Sequence, residues 1–405
     1  MTDADGTASA QSASLSPDQV SPASSATALT PRIVDLDVIR AVALIGVCVM
    51  NYHGYLIHRG AKATPTNVVE RFFDPWTGPL STRFAATFVT VAGMGITLLT
   101  RRSTASRDRA AISADRWKLA RRGVLLFAFG YFLDWVWPGT ILFYYGAFFV
   151  AGAVLFTLRS RWLALIGAAA AAAAAGLQWW VLQRTTEGRP PYWLVYGNAT
   201  TTQSPRDLLL DTFVRGTHPL LPWLVFLCMG MVLGRLLPFT PQLRQRLAGI
   251  GMICLALGYL LRHVLTIHPM LRSTAPFDRG ALYTLTTVGS TLMAVCLIGW
   301  ITQRTAGSEL TQGLAATGRT TLSLYMAHVL VFNLLVDWLE WVHPGTLTTA
   351  LVFAGVFWMF AVLAATAWQL WRGIGPLEWV YRRFSDAGAG AGAVAGANTS
   401  TRRGG

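Results

Sequence analysis

Within eight residues the chain places an asparagine and two histidines, Asn51-Tyr52-His53-Gly54-Tyr55-Leu56-Ile57-His58. Histidine takes or gives a proton near neutrality. An asparagine amide can donate to a developing oxyanion, a contribution worth about 2.7 to 4 kcal/mol where such donors have been removed. Asn51 and His53 together therefore form a candidate reaction centre, in which one side chain moves a proton and the other steadies developing negative charge. Gly54 loosens the helix there, and a polar segment running to Pro79 gives substrate a way in. His58 is the competing base. If the helix continues that far, His58 shares the face of Asn51, but Arg59, Gly60 and Lys62 read as an exposed loop in which a solvated surface histidine is the simpler account.

The same helix opens with Asp35-Leu36-Asp37-Val38-Ile39-Arg40. At about 100° per residue, Arg40 and Asn51 fall within about 20° of each other, so one stripe is polar at both ends. Asp37 lies one turn before Arg40 and can pair with it, either to anchor the helix end or to meet substrate. Asp74, Arg83, Asp134 and His218 converge on the outer side, where they contact substrate or satisfy one another. His328 stands mid-span, as a satisfied core histidine or a substrate contact. The candidate binding set is thus Asp37, Arg40, Asp74, Arg83, His218 and His328. No G-x-S-x-G elbow, HExxH helix or CxxC pair occurs, so neither a serine nucleophile nor a metal site is expected.

These side chains need elements to hold them. An α-helix crosses the hydrocarbon with about 20 predominantly apolar residues, and such runs extend from Leu36 to Leu56, Leu80 to Leu99, Gly123 to Trp137, Gly139 to Leu158, Trp162 to Leu182, Pro219 to Pro238, Leu247 to Ile267, Ala281 to Ile301, Thr320 to Leu339 and Leu347 to Trp371. The expected fold is all-α, a polytopic transmembrane helix bundle of about ten spans. Between Ala168 and Ala175 the fifth run is alanine throughout, which suits close helix packing.

Composition agrees. Over 405 residues the mean hydropathy is +0.44, with 53% hydrophobic and 13% charged residues, more apolar than one water-soluble core requires. The net charge of +14 comes from arginines between apolar runs, as the retention of basic loops in the cytoplasm demands, and no nucleic-acid partner is expected. Arg101, Arg102, Arg107, Arg109, Arg116, Lys118, Arg121 and Arg122 crowd the segment after the second run, which places that segment and both termini in the cytoplasm. Residues 1–31 and 385–405, rich in Ser, Ala, Thr and Gly, read as disordered cytoplasmic tails around a membrane domain of residues 32–384.

A family resemblance emerges from four stretches. Arg32-Ile33-Val34-Asp35-Leu36-Asp37-Val38-Ile39-Arg40-Ala41-Val42-Ala43-Leu44, with Asn51 following, resembles the first helix of the transmembrane acyltransferases related to heparan-alpha-glucosaminide N-acetyltransferase. His218-Pro219-Leu220-Leu221-Pro222-Trp223, Gly318-Arg319-Thr320-Thr321-Leu322-Ser323-Leu324-Tyr325 and Gly375-Pro376-Leu377-Glu378-Trp379 are similar to the bacterial branch called DUF418 or YeiB-like. The resemblance implies transfer of an acetyl or other acyl group from cytoplasmic acetyl-CoA or another acyl-CoA to an amine or hydroxyl, such as that of a glycan, presented from the other face of a bacterial plasma (inner) membrane. Asn51 matches the family's asparagine, whereas the family's histidine sits further along the following loop than His53 or His58. Membrane lipid, the acyl-CoA donor and the acceptor are the expected partners, and a homo-oligomer is left open. A transporter or flippase with Arg40, Arg83, Asp134 and His328 along a solute path is the alternative.

Overall fold

Backbone polar groups have no water to pair with in lipid, so apolar runs of this length must form helices. The computed structural model describes residues 33–195 and 204–386, and among these it contains helices and no strand. The tails expected at residues 1–31 and, but for Ser385 and Asp386, at 385–405 lie outside the described residues, as does part of the long segment before His218.

In chain order the helices are α1 (Val34–His58), α2 (Val68–Phe72), α3 (Arg83–Ser106), α4 (Arg109–Asp134), α5 (Leu142–Leu155), α6 (Ser160–Thr186), α7 (Tyr192–Val195), α8 (Pro205–Leu210), α9 (Leu220–Arg235), α10 (Pro241–Val264), α11 (Ala281–Arg304), α12 (Glu309–Arg319), α13 (Thr321–Phe332), α14 (Leu347–Trp371) and α15 (Pro376–Asp386). Two π-helical turns, Asp211–Arg215 and Asn333–Trp338, extend α8 and α13.

Six helical segments are long and apolar enough to cross a membrane: α3, α6, α10, α11, α13 with its π-helical turn, and α14. A seventh results if α8 with its π-helical turn and α9 form one span bent by 57°. Of the other expected runs, α1 and α9 keep to the sequence pattern within three residues at each end, whereas the runs of α4 and α5 differ from it. α4 starts at Arg109 rather than Gly123, so its basic first half is helix and not loop. α5 has 14 residues, which spans about 21 Å and falls short of a 30 Å core. α15 carries the last domain helix through Asp386, just past the expected boundary at 384. Large apolar side chains lie exposed on the outside, including Ile253 and Leu260 of α10, Trp179 of α6 and Phe360 and Leu363 of α14. A surface so apolar matches lipid rather than water, and the protein is a multi-pass membrane protein.

α1 sits at the centre, packed against α3, α11, α12, α13 and α14. α3 crosses α9 where Gly93 and Gly230 meet: a Cβ on Gly230 would collide with the Thr90 backbone, so no larger residue allows this approach. On α6 one stripe, Leu163, Gly167, Ala170, Ala174, Gln178 and Leu182, is buried, and α6 packs against α9. The rest of the alanine run faces outward.

The last two sequence motifs dock on each other. Glu378 of α15 accepts hydrogen bonds from the Leu322 amide at 2.6 Å, the Ser323 amide at 3.2 Å and the Ser323 hydroxyl at 2.6 Å. A carboxylate thus caps the unsatisfied N–H groups that open α13, where the helix dipole favours negative charge.

Candidate functional site

The C-terminal end of α1 and the N-terminal ends of α3, α5 and α9 lie on one face of the bundle. Between them is a cavity of about 640 Å³. α1 contributes Val47, Met50, Asn51, Gly54, Tyr55 and His58, spaced by three and four residues, as one helix face must be. The helix persists to His58, two turns beyond Asn51, so both side chains address the same space. His58 is exposed at the rim, with its ring edge-on to Tyr55 at 6.4 Å between centroids.

His53, two residues from Asn51, is turned about 200° away and does not line the cavity. It is fully buried against the edge of Trp76, 6.1 Å between centroids, and neither ring nitrogen has a hydrogen-bond partner among the described residues. A buried polar group left unpaired costs about 1–3 kcal/mol. His53→Leu is therefore expected to stabilise the fold by about that amount, read as a rise in melting temperature in detergent. A fall would mean that the imidazole has a partner the fold depends on.

Opposite α1, the loop before α9 supplies Thr217 and His218. The His218 Nδ1 lies 2.9 Å from the Thr217 hydroxyl, so Nε2 is the ring nitrogen left for a ligand. The loop is held by the Tyr144 hydroxyl, which accepts from the Thr217 amide at 2.9 Å. Arg279 donates to the carbonyls of Val214 at 2.7 Å, Arg215 at 2.8 Å and Gly216. These carbonyls close the π-helical turn, where a cation is favoured.

The remaining wall is aromatic: Tyr55, Trp76, Phe84, Phe277 and Tyr325. Asp74 sets Trp76 in place, its carboxylate accepting from the amides of Trp76 at 2.8 Å and Thr77 at 2.7 Å. Asp134 similarly accepts from the Gly139 amide at 2.8 Å, closing a turn in which Gly139 has φ +81°, a conformation that favours glycine. Tyr55 stacks on Trp137 at 3.5 Å and donates to the Pro138 carbonyl. The Tyr325 hydroxyl exchanges a hydrogen bond with Thr140 at 2.8 Å and accepts from the Ile141 amide at 3.3 Å.

The other candidates lie apart from the cavity. Arg83 is buried between α3 and α11, donating to the Tyr283 carbonyl at 3.3 Å and the Thr286 hydroxyl at 3.0 Å, with its guanidinium over the Tyr283 ring. Asp37 and Arg40 pair at 3.3 Å at the opposite end of α1, where Arg40 also donates to the Gly318 carbonyl at 3.2 Å. His328 of α13 is fully buried behind the cavity wall, its Nε2 3.3 Å from the Asn51 amide nitrogen. Pattern alone gave no signal for Arg59, Thr82 or Thr217 as lining residues, because they end or precede helices whose junctions only the fold brings together. Among the described residues no group of three or more His, Cys, Asp or Glu could hold a metal ion.

The segment between α1 and α3 is fastened by Glu70 of α2. Its carboxylate accepts from the Thr66 hydroxyl at 2.6 Å and amide, and from the Thr348 amide at 3.1 Å and hydroxyl at 2.8 Å, tying α2 to the first turn of α14. These hydrogen bonds, those from Thr66 foremost, hold its pKa down at about 2 against an ordinary 4.5. A depressed carboxylate stabilises the fold fully above its unfolded pKa, and that contribution is lost as pH falls through the folded value. Glu70→Gln is accordingly expected to cost about 1.5–3 kcal/mol at neutral pH. The gap from wild type should narrow as pH drops from 4.5 towards 2, measured as paired melting curves. A gap constant across that window would mean that the charge is not what fastens the loop.

Residues 32–270 match the family described as heparan-alpha-glucosaminide N-acetyltransferase, catalytic, and residues 235–387 match that described as protein of unknown function (DUF418). No curated protein matches the chain significantly.

Proposed function

Since the chain belongs to the heparan-alpha-glucosaminide N-acetyltransferase catalytic family, with a DUF418 region in its second half, we propose that it is a membrane acyltransferase working at the cavity beside Asn51. Acyl-CoA is the donor substrate and an amine or hydroxyl of an extracytoplasmic glycan or similar molecule is the acceptor. The observation that carries this is the α1 face on which Asn51 and His58 line one cavity, with His218 opposite.

The acceptor's lone pair attacks the thioester carbonyl, and His58 removes the proton the nucleophile must lose. Its exposure at the rim lets that proton pass on to water. The carbonyl oxygen becomes an oxyanion to which an Asn51 N–H donates. As the C–S bond breaks, the acyl group stays on the acceptor and the CoA thiolate leaves to take a proton. His218 Nε2 is placed to hold the acceptor, and the aromatic wall excludes bulk water. His58 takes the role of base over His53 because His53 faces away from the cavity.

The chain crosses a bacterial plasma (inner) membrane about ten times, α1, α4 and the short α5, which needs the residues flanking it to complete its crossing, adding to the six long helices and the bent pair. With an even number of crossings both termini lie in the cytoplasm, on the side where Arg101 to Arg122, Arg235, Arg304 and Arg372 gather. Donor then enters from that basic face, where arginine pairs well with phosphate, and acceptor from the cavity face. Incubating purified protein with radiolabelled acetyl-CoA and a panel of glycan and amine acceptors should yield a labelled product and free CoA. The bent pair at Arg215–Leu220 keeps solute transport as a second reading. Uptake into proteoliposomes without acyl-CoA consumption would replace acyl transfer with it.

A further inference from the structure

We propose that His328 is a positioning residue that accepts a hydrogen bond from the Asn51 amide and so fixes which edge of that amide meets the substrate. This rests on acyl transfer at the Asn51 cavity.

His328 Nδ1 contacts the Tyr325 carbonyl, which can only accept, so Nδ1 carries a hydrogen. The ring is fully buried among Tyr52, Trp137 and Tyr325, with centroids 5.8, 5.5 and 4.7 Å away, and no carboxylate pairs with it among the described residues. A charged imidazolium there would be buried without compensation, so Nε2 is a lone-pair nitrogen. Its neighbour at 3.3 Å, the Asn51 amide nitrogen, is then the donor. The assignment settles an ambiguity that side-chain amides otherwise leave open: nitrogen, not oxygen, faces His328.

Two consequences follow for Asn51. One N–H is committed to His328, and the second N–H with Oδ1 remains for the cavity that Asn51 lines. The amide also loses its freedom to turn over, which would exchange a donor for a carbonyl oxygen and set repulsion against the oxyanion. The link is stiffened from the next residue, since the Tyr52 hydroxyl donates to the His328 carbonyl at 3.1 Å. Residues 51 and 52 of α1 are thereby bound to one residue of α13, by its side chain and by its backbone.

A glutamine at this position can place an amide oxygen where Nε2 now accepts, whereas leucine cannot. With the wild-type enzyme turning over, His328→Leu is expected to lower kcat by about 10²-fold, the low end of losing the oxyanion donor itself, with KM little changed. His328→Gln is expected to stay within about threefold of wild type, with an unaltered pH profile, because only a neutral acceptor is required. Equal losses in both variants with a lost limb of the pH profile would make His328 a base, and no loss in His328→Leu would remove the role; either result overturns the proposal. Nitrogen-15 spectra of histidine-labelled wild type provide a readout independent of turnover and of variant folding. Nδ1 of His328 should resonate as protonated and Nε2 as a lone-pair nitrogen, and the reverse pattern overturns the assignment. Absence of any turnover by wild type strikes acyl transfer instead, and leaves the spectral outcome to decide the hydrogen bond.

Discussion

Asn51→Ala is expected to lower kcat for acyl transfer by about 10² to 10³-fold with little change in KM for the donor, because the lost N–H acts on charge that exists only in the transition state. The side chain is half-buried on the cavity face of α1, and among the described residues its polar partner is His328. Its removal therefore leaves the aromatic wall and the helix contacts in place. Melting temperature should move by far less than the activity does. A proportionate loss of stability would mark Asn51 as a strut between α1 and α13. Asn51→Asp supplies the sharper control: it keeps the shape but sets a carboxylate against the oxyanion, and should be at least as inactive as Asn51→Ala.

His58→Ala should cost about 10² to 10⁴-fold, the usual contribution of a general base. Its exposure at the end of α1 means that little packing is lost with the ring. Part of the lost rate should return on addition of free imidazole, which can enter a cavity open at its rim. His53→Leu should show no such loss, since its ring is sealed away from the cavity. If His58→Ala retains full activity while His218→Ala is inactive, the proton leaves through His218 and the base lies on the α9 loop.

Much of the scaffold was legible in the residues. Long apolar runs dictate helices whatever their surroundings, and α6, α11 and α14 coincide with expected runs to within about a turn, α3 and α10 to within about two. The stripe that begins at Arg40 and passes through Asn51 was likewise readable, because helical periodicity is local. Where pattern failed, the cause was local too. Charged residues from Arg109 to Arg122 read as loop, yet α4 begins with them, since a helix leaving the membrane can keep its hydrogen bonds in water. The helix was expected to loosen at Gly54, and α1 instead runs on to His58, so periodicity alone did not decide between two histidines.

By itself, the sequence determined that this protein is a membrane-embedded helix bundle, and its motifs placed it in an acyltransferase family; hydrophobicity and short-range spacing need no knowledge of distant neighbours. Only the tertiary structure decided which polar residues share a cavity. Asp74 and Asp134 hold backbone amides, Arg83 clamps two helices, and His53 is buried with no hydrogen-bond partner among the described residues, whereas His58, Asn51 and His218 look into one space. His328 reaches Asn51 across 277 positions of chain, a contact set by how α13 packs on α1 and encoded in no local pattern.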